Sequence, residues 1–363
     1  MKKLGFGCMR LPMAGDRVDL EQFAEMTDRF LARGFTYFDT AHGYLNGQSE
    51  TAIRECLASR YPRDAYQLTN KLSSHFVQKT EDIRPLFEGQ LTACGVDYFD
   101  YYLMHAQDAS VYAKYKRLGC YETAYRFKKE GLIRHFGISF HDRAAVLDQI
   151  LTEHPEVEAV QIQFNYLDYD DPSVESRKCY EVCAKHQKPV IVMEPIKGGS
   201  LVHLPPEAQT ILDALGGGSA ASYAVRFAAG FDNIFMVLSG MHSLSDLDDN
   251  TGYMRDFQPL NEVERAAIAK VVSVFRGMDL IPCTGCRYCL EECVKELPIP
   301  ELFALMNKKK QFGNWNTDYY YSIRTANGKK ASDCLGCGRC EVACPQHLAI
   351  RDLLRQVAKE FEH

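Results

Sequence analysis

The chain alternates between two patterns of apolar and polar residues. Short runs of mostly apolar residues are each followed by a longer segment in which apolar residues recur every three or four positions. A short apolar run predicts a buried strand, and the three-to-four spacing predicts an amphipathic helix. The predicted strands occupy residues 4–8, 35–38, 66–71, 99–105, 133–139, 158–164, 189–194 and 234–238, and a helical segment follows each of them.

This alternation predicts a parallel α/β fold. Eight strand–helix units over roughly 250 residues are typical of a (β/α)8 TIM barrel. A doubly wound open sheet is the alternative, but no Gly-x-Gly-x-x-Gly motif follows the first strand. We expect the barrel to occupy residues 1–258, a linking helix residues 259–281, and a small cysteine-rich domain with a final helix residues 282–363.

Composition narrows the class of protein. The chain has 363 residues, of which 46% are hydrophobic and 25% charged, as is ordinary for a globular protein. A net charge of −6 argues against a nucleic-acid partner, and no apolar run approaches the roughly 20 residues of a transmembrane helix. Six of the 14 cysteines are scattered through the predicted barrel. Because no signal peptide is recognisable, we expect a reducing, cytoplasmic location, where disulfides are rare.

Polar residues stand at the ends of three consecutive predicted strands. Asp39 follows the second strand, Lys71 ends the third and His105 ends the fourth, while Tyr44 lies on the loop after Asp39. In a parallel barrel these carboxyl-terminal ends share one face, where catalytic residues lie. We therefore expect the four side chains to converge on one pocket suited to proton transfer. A purely structural ion pair between Asp39 and Lys71 is the alternative for those two residues.

The motif from Asp39 to Tyr44, followed by Lys71 and then by Leu-Met-His105, resembles the catalytic tetrad of the aldo-keto reductases. The resemblance covers roughly residues 1–255 and implies nicotinamide-dependent interconversion of an aldehyde or ketone and an alcohol. It implies that Tyr44 is the general acid and that His105 donates a hydrogen bond to the carbonyl oxygen. The Lys71 ammonium would lower the pKa of the Tyr44 phenol, and Asp39 would keep Lys71 charged and oriented.

The resemblance also implies a nicotinamide nucleotide site along the later strands. Ser139 and Gln161 would hold the nicotinamide carboxamide, and Asn250 would contact the adenine. Two loops would bind the phosphates, because small residues let backbone amides approach an anion and a helix N-terminus favours negative charge. Their residues are Gly198 and Gly199 after the seventh strand, and Ser239, Gly240 and Ser243 after the eighth.

Three positions depart from the family pattern. Phe140 stands where an Asn usually follows the serine, and Met193 replaces a stacking Tyr, with Glu194 beside it. Asp246 replaces an Arg that often contacts the 2′-phosphate of NADPH. Because a carboxylate would repel that phosphate, we expect NADH or NADPH as the cofactor, with a preference for NADH. Alternatively, Asp246 only caps the last barrel helix together with Ser243.

The last quarter of the chain contains two matching cysteine sets with the spacing Cys-x-x-Cys-x-x-Cys-x-x-x-Cys. This spacing resembles that of dicluster bacterial ferredoxins, in which the fourth cysteine of each set ligates the other 4Fe–4S cluster. The assignment gives one cluster Cys283, Cys286, Cys289 and Cys344, and the other Cys334, Cys337, Cys340 and Cys293. Two zinc sites of four thiolates are the alternative, although zinc favours paired Cys-x-x-Cys units. Between the sets, Trp315, Tyr319, Tyr320 and Tyr321 are expected to pack in the core of this ferredoxin-like domain. The alternative is that these aromatic residues cover the clusters or close over the barrel mouth.

Barrel and cysteine sets together resemble the iron–sulfur branch of the aldo-keto reductases. The leading hypothesis is an NAD(P)H-dependent carbonyl oxidoreductase with two 4Fe–4S clusters for electron transfer. Its expected partners are a small carbonyl or alcohol substrate and, as a candidate carrier, a ferredoxin or flavodoxin, with no nucleic-acid or membrane partner. Since hydride transfer needs no one-electron relay, the second hypothesis is a ferredoxin-linked redox protein. Its clusters would feed electrons to a barrel-bound substrate or partner, with weak or absent nicotinamide chemistry.

Overall fold

The computed structural model describes residues 2–171, 174–312, 316–325 and 328–362, which form two compact units. The first unit comprises Met1–Pro195 and Ala221–Leu260, and the second comprises Ile196–Ala220 and Asn261–His363. Residues 196–220 therefore belong with the carboxyl-terminal part of the chain, although they follow the seventh barrel strand in sequence. Within the described ranges, no helix is long and apolar enough to cross a membrane.

The first unit contains a closed barrel of eight parallel strands, which confirms the predicted fold class. Two short strands form an antiparallel hairpin outside the barrel, which the sequence pattern did not predict. In chain order the strands are β1 (Leu4–Gly7), β2 (Met13–Ala14), β3 (Arg17–Val18), β4 (Tyr37–Asp39), β5 (Gln67–Leu72), β6 (Phe99–Gln107), β7 (Ile133–Phe140), β8 (Ala159–Gln163), β9 (Val190–Met193) and β10 (Ile234–Ser239). The barrel closes in the order β1, β4, β5, β6, β7, β8, β9, β10, and β10 pairs with β1.

Helices follow the strands in the expected alternation. They are α1 (Leu20–Ala32), α2 (Gln48–Ile53), α3 (Ile83–Cys94), α4 (Ala109–Arg117), α5 (Cys120–Lys129), α6 (Ala144–Glu153), α7 (Ser176–Lys185), α8 (Pro206–Asp213), α9 (Ala220–Ala229), α10 (Leu244–Arg255), α11 (Glu262–Gly277), α12 (Tyr288–Glu291), α13 (Ile299–Phe312), α14 (Asn316–Arg324), α15 (Arg339–Val342) and α16 (Ile350–Phe361). The sequence pattern gave loops where α4 and α8 lie. The pattern also predicted a single helix in the region of α2, where the structure has α2 followed directly by a π-helical turn, Arg54–Ala58.

The barrel strands are apolar along their length because both of their faces are covered. Phe38 of β4 stacks on Phe6 of β1 and contacts Phe30 of α1, whereas its neighbour Tyr37 packs with residues of β8, β9 and β10. Successive side chains of a strand point to opposite faces. Asp39, two residues after Tyr37, therefore points to the barrel interior at the carboxyl-terminal end of the strand.

The second unit has its own hydrophobic core. α11 begins with a capping box between Asn261 and Glu264 and packs against α8. The core is formed by apolar residues of α13 and α16 together with cysteines of both sets. Tyr321 packs in this core as expected and stacks on Phe361, with 4.7 Å between ring centroids. The prediction was wrong for Tyr320, whose side chain is exposed. Trp315, expected in the same core, lies outside the described residues.

Candidate active site and cysteine cavities

The carboxyl-terminal ends of β4, β5 and β6 bring the predicted tetrad together. The Nζ of Lys71 lies 2.5 Å from Oδ1 of Asp39. It also donates hydrogen bonds to the Thr40 carbonyl oxygen at 2.8 Å and to the Tyr44 hydroxyl at 3.3 Å. The ring of His105 lies beside that of Tyr44, with 5.9 Å between their centroids. Lys71 and His105 therefore both lie beside the phenol of Tyr44, and Asp39 contacts that phenol's neighbour, Lys71.

The pair formed by Asp39 and Lys71 is buried, with exposed fractions of 3% and 0%. Burial raises the pKa of the Asp39 carboxyl and lowers the pKa of the Lys71 ammonium, while their mutual attraction opposes both shifts. Nε2 of Gln161 donates a hydrogen bond to the other carboxylate oxygen of Asp39 at 3.0 Å. The Lys71 ammonium thus contacts both the buried carboxylate of Asp39 and the phenol of Tyr44.

The pKa of Tyr44 is shifted in the direction opposite to the prediction. Burial raises this pKa well above its usual value, and the negative charges of Asp39 and Glu194 raise it further, while the Arg10 guanidinium opposes them. The prediction that Lys71 would lower the pKa was wrong about the net shift, because removing a phenolate from water outweighs the effect of nearby cations. The phenol of the free protein is therefore protonated at neutral pH.

Arg10 is a charged residue near Tyr44 that the sequence reasoning missed. Nη2 of Arg10 lies 3.8 Å from Oε1 of Glu194. The aliphatic part of Arg10 packs over Gly240, where an added Cβ would lie 3.5 Å from the Cβ of Arg10. Glu194 follows β9 with a φ of 56°, a left-handed conformation that is uncommon for residues other than glycine. No motif marks Arg10, which lies in the loop after β1.

A buried hydrogen bond joins His105 to Ser73, another residue that the sequence reasoning missed. The Oγ of Ser73 lies 2.6 Å from Nδ1 of His105, and both side chains are less than a tenth exposed. Burial lowers the pKa of His105 well below its usual value, and the positive charge of Lys71 lowers it further. His105 is therefore neutral at neutral pH, so its single ring proton lies on one nitrogen or the other.

A second polar network fixes the backbone around Lys71. Oδ1 of Asn70 accepts hydrogen bonds from the backbone N–H of Lys71 at 2.8 Å and from Gln90 at 3.0 Å. Gln90 also donates to the carbonyl oxygen of Lys71 at 2.9 Å. The buried carboxylate of Glu50 accepts a hydrogen bond from Asn70 and lies 2.8 Å from Nδ1 of His42, which raises the pKa of His42. These contacts hold the strand that positions the Lys71 ammonium.

The residues predicted to hold the nicotinamide make hydrogen bonds within the barrel. Oγ of Ser139 accepts a hydrogen bond from the backbone N–H of Ala106 at 2.8 Å, which leaves its hydroxyl hydrogen able to donate. Gln161 contacts Asp39, as described above. Ser139 and Gln161 are paired residues of β7 and β8, so their side chains lie close to each other and to the tetrad.

Three residues predicted to bind the nucleotide lie at the end of β10, on the loop that follows it and in α10. Oγ of Ser239 donates a hydrogen bond to Oδ1 of Asn250 at 2.8 Å, and Ser243 caps α10. Asp246 takes part in the same turn, because its N–H bonds to Ser243 and its carboxylate lies 2.7 Å from Nδ1 of His242. Asp246 therefore makes the helix-capping contact with Ser243 that the alternative interpretation expects. The carboxylate of Asp246 also lies beside the N-terminus of α10.

Gly198 and Gly199, the other predicted phosphate loop, belong to the second unit. Gly198 has a φ of 64°, and a Cβ added there would overlap the carbonyl oxygen of Thr284 and lie 2.8 Å from its Cα. Thr284 follows Cys283, the first residue of the first cysteine set. Only glycine fits this close contact between two backbones.

Each of two cavities in the second unit is lined by four cysteines. Each quartet combines three cysteines of one set with the fourth of the other set. The first cavity is lined by Cys283, Cys286, Cys289 and Cys344, and the second by Cys293, Cys334, Cys337 and Cys340. These are the same quartets that the ferredoxin-like spacing assigns to two clusters.

The cysteine geometry bears on the zinc alternative. None of the 14 cysteines forms a disulfide, and within the described part of the chain no three His, Cys, Asp or Glu side chains are placed to hold a single metal ion. Four thiols spaced around a cavity instead suit a group with several metal atoms, which 4Fe–4S ligation requires. Burial raises the pKa of Cys340 to about 11, so a bound cluster would have to stabilise its thiolate.

A closed parallel barrel with a Lys–Tyr–Asp–His site at its strand ends, joined to a domain with two four-cysteine cavities, defines an oxidoreductase with an iron–sulfur domain. The chain belongs to the aldo/keto reductase family, whose model it matches over residues 3–273. Residues 282–350 match a 4Fe-4S dicluster domain. The resemblance stated from the sequence is thereby confirmed for the family and for the carboxyl-terminal domain.

Individual relatives resemble parts of the chain. The probable aldo-keto reductase 1 of Glycine max is 30% identical over 179 residues, which are 46% of this chain and 48% of that protein. Aldo-keto reductase family 1 member C3 of Homo sapiens is 35% identical over 108 residues, 29% of this chain and 32% of that protein. The chain thus spans half or less of the length of these curated relatives.

Solved structures share the fold of the barrel. An aldo-keto reductase from Klebsiella pneumoniae, in complex with NADPH, has a TM-score of 0.60 at 18% identity, covering 74% of this chain and 90% of that one. The holo form of an aldo-keto reductase from Bacillus halodurans has a TM-score of 0.59 at 23% identity, covering 74% and 91%. At these identities the likeness shows the fold alone.

Proposed function

We propose that the barrel catalyses NAD(P)H-dependent interconversion of an aldehyde or ketone and an alcohol, with Tyr44 as the general acid. The observation that carries the proposal is the hydrogen bond of 3.3 Å between the buried Lys71 ammonium and the Tyr44 hydroxyl. When bound, the nicotinamide supplies the hydride that adds to the carbonyl carbon. Tyr44 then has to protonate the oxygen that gains negative charge.

The raised pKa of Tyr44 is compatible with this role. A phenol that stays protonated in the free protein is ready to act as an acid, and an alkoxide is a stronger base than a phenolate. As the proton leaves, negative charge develops on the Tyr44 oxygen next to the Lys71 ammonium, which stabilises it. Asp39 keeps that ammonium in place at 2.5 Å, and His105 orients the carbonyl oxygen. Reduction and its reverse use the same groups.

The residues around the tetrad fit a nicotinamide nucleotide. The hydroxyl hydrogen of Ser139 can donate to the carboxamide, and the N-terminus of α10, capped by Ser243, suits a phosphate. Asn250, Ser239 and Gly240 are proposed for the remaining nucleotide contacts within the first unit. We retain NADH as the preferred cofactor because Asp246 places a negative charge at this helix end. Matched fluorescence titrations with NADH and NADPH test that preference.

For the second unit we propose two 4Fe–4S clusters that transfer electrons. The donor sets support it, since each cavity is lined by four cysteine thiols in the crossed arrangement of dicluster ferredoxins. When bound, the clusters supply one-electron storage, and the protein supplies the thiolates that hold them. Iron and sulfide of about eight each per chain, with a brown colour after anaerobic purification, are expected. Stoichiometric zinc without sulfide would contradict the assignment.

A second function is favoured by one observation. Cys337, which lines the second cavity, is exposed, so electrons could enter from a carrier protein such as ferredoxin or flavodoxin. In that function the clusters feed electrons to a barrel-bound substrate or partner, and nicotinamide chemistry is weak or absent. A carrier that replaces NAD(P)H in turnover would support it.

An anaerobic assay distinguishes the two functions. A panel of aldehydes and ketones is incubated with NADH or NADPH, with and without a reduced low-potential carrier, using the full chain and its Tyr44→Phe variant. The leading function predicts carbonyl-dependent oxidation of the nucleotide that the variant loses by about 10²–10⁴-fold. Binding of neither nucleotide would rule out the leading function, whatever the carrier does.

A further inference from the structure

We propose that Ser73 is a positioning residue that fixes the tautomer of His105, so that the single ring proton lies on Nε2. The proposal deepens the proposed function and rests on it, since it assigns the His105 proton that the carbonyl oxygen would receive as a hydrogen bond. It starts from the contact of 2.6 Å between Oγ of Ser73 and Nδ1 of His105.

The direction of this hydrogen bond follows from what else Ser73 can reach. Ser73 is 6% exposed, and Nδ1 of His105 is its one side-chain hydrogen-bond partner in the described part of the chain. If Nδ1 carried the proton and donated it, the Ser73 hydroxyl hydrogen would be buried without an acceptor. A buried donor without a partner is costly. The hydroxyl therefore donates to Nδ1, and the proton of neutral imidazole lies on Nε2.

The backbone on both sides of the hydrogen bond is held in place. Tyr115 is fully buried, and its hydroxyl lies 2.5 Å from the Leu72 carbonyl oxygen and 3.3 Å from that of His105. It thus ties the residue before Ser73 to His105 itself. Ala106, directly after His105, has a φ of 50°, and its N–H bonds to Ser139 at 2.8 Å. The two partners therefore meet at a geometry that neighbouring strands impose.

The tautomer decides what His105 can do for a substrate. With the proton on Nε2, that nitrogen can donate a hydrogen bond to a carbonyl oxygen and strengthen it as negative charge develops. With the proton on Nδ1, Nε2 would present a lone pair to the same oxygen and repel it. Ser73 therefore acts through His105 and does not itself contact the reacting atoms.

The test measures the tautomer directly and catalysis separately. In protein with ¹⁵N-labelled histidine, the two ring nitrogens of His105 have distinct chemical shifts that report which one is protonated. His105→Gln identifies the His105 signals by their loss. Ser73→Ala is expected to change the protein from the Nε2–H form to a mixture, to lower kcat by about tenfold, and to leave KM for the nucleotide unchanged.

Two variants of Ser73 with side chains of the same shape distinguish the effect of its hydroxyl from the effect of its packing. Ser73→Thr retains a hydroxyl and should keep the Nε2–H form, whereas Ser73→Val has the same outline without it and should behave like Ser73→Ala. Ser176→Ala is the matched control, since Ser176 is also buried and donates one hydrogen bond, to the Gln163 carbonyl oxygen at 2.8 Å. It should leave the His105 signals unchanged.

The outcomes separate this proposal from the proposed function. An unchanged Nε2–H form in both Ser73→Ala and Ser73→Val would overturn it, as would wild-type protein in the Nδ1–H form. In the His105→Gln background, Ser73→Ala should have no further effect on kcat, and a full additional loss would also contradict it. If Tyr44→Phe leaves activity intact, the proposed function fails. The tautomer of His105 is measured in the free protein, so that result would still decide whether Ser73 fixes the tautomer.

Discussion

Removing the Lys71 ammonium should destabilise the barrel strongly. In Lys71→Met the Asp39 carboxylate stays buried, at 3% exposure, with the hydrogen bond from Gln161 as a remaining partner. Breaking a buried ion pair by removing one partner typically costs about 3–5 kcal/mol. Because Gln161 still donates to Asp39, we expect a loss near the lower end, about 3 kcal/mol, or roughly a hundredfold in the unfolding equilibrium constant.

The double variant Asp39→Asn, Lys71→Met tests the cause of that loss. It removes both charges while keeping the shape of Asp39, so most of the lost stability should return. The loss in Lys71→Met should also depend on pH. Burial raises the pKa of the Asp39 carboxyl, so its protonated form is favoured on folding. The protonated Asp39 carboxyl stabilises the fold at low pH, and this stabilisation is lost as the pH rises through the pKa that Asp39 has in the folded protein. The stability lost in Lys71→Met should therefore become smaller on acidification.

Urea unfolding at several pH values, followed by circular dichroism at a common slope, measures these differences. Lys128→Met is the matched control, because Lys128 lies 2.5 Å from Glu158 with both side chains about a third exposed. Exposed pairs contribute about 0–1 kcal/mol, so this control should change little. The reasoning is refuted if Lys71→Met loses no more than the control, or if the double variant is as unstable as Lys71→Met.

Three further predictions follow from the site and the second unit. Tyr44→Phe should retain nucleotide binding in fluorescence titrations while losing carbonyl reduction about 10²–10⁴-fold, and loss of both together would point to misfolding. Gly198→Ala should lower the iron and sulfide content per chain because its Cβ would overlap Thr284. Gly216→Ala, with a φ of 73° and open space around it, should cost only about 1 kcal/mol and keep that content. Asp246→Ala should tighten NADPH binding about threefold to fivefold relative to NADH, as expected for a partly exposed charge worth up to ~1 kcal/mol, and an unchanged ratio would remove Asp246 from cofactor choice.

Periodicity was enough to predict the barrel because each strand is buried on both faces and each helix on one. It failed at α4, whose buried residues are Tyr112 and Tyr115 among lysines and an arginine. Tyrosine is ambiguous in an apolar pattern, since its hydroxyl needs a partner that the sequence does not show. Here the Tyr115 hydroxyl finds the carbonyl oxygens of Leu72 and His105, some 43 and 10 positions away in the chain.

The tetrad could be predicted because parallel strands end on one face, but its supporting residues could not. Ser73 and Glu50 are ordinary polar residues in sequence, and only the fold reveals that each is buried against a histidine. The direction of the Tyr44 pKa shift was also beyond the sequence. Sequence shows which charges lie near a phenol, whereas the net shift depends on how far burial exceeds their effect.

The contact between Gly198 and Thr284 bears on what the proposed clusters would do within the second unit besides electron transfer. Hydride transfer needs no one-electron relay, so electron transfer alone does not explain the second unit. Gly198 belongs to the segment that follows β9, and its backbone meets Thr284 so closely that no side chain fits between them. Thr284 lines the first cysteine cavity together with Cys283 and Cys286. We therefore expect that binding of a cluster in that cavity would also restrict the backbone of the loop at Gly198, even if no electron passes.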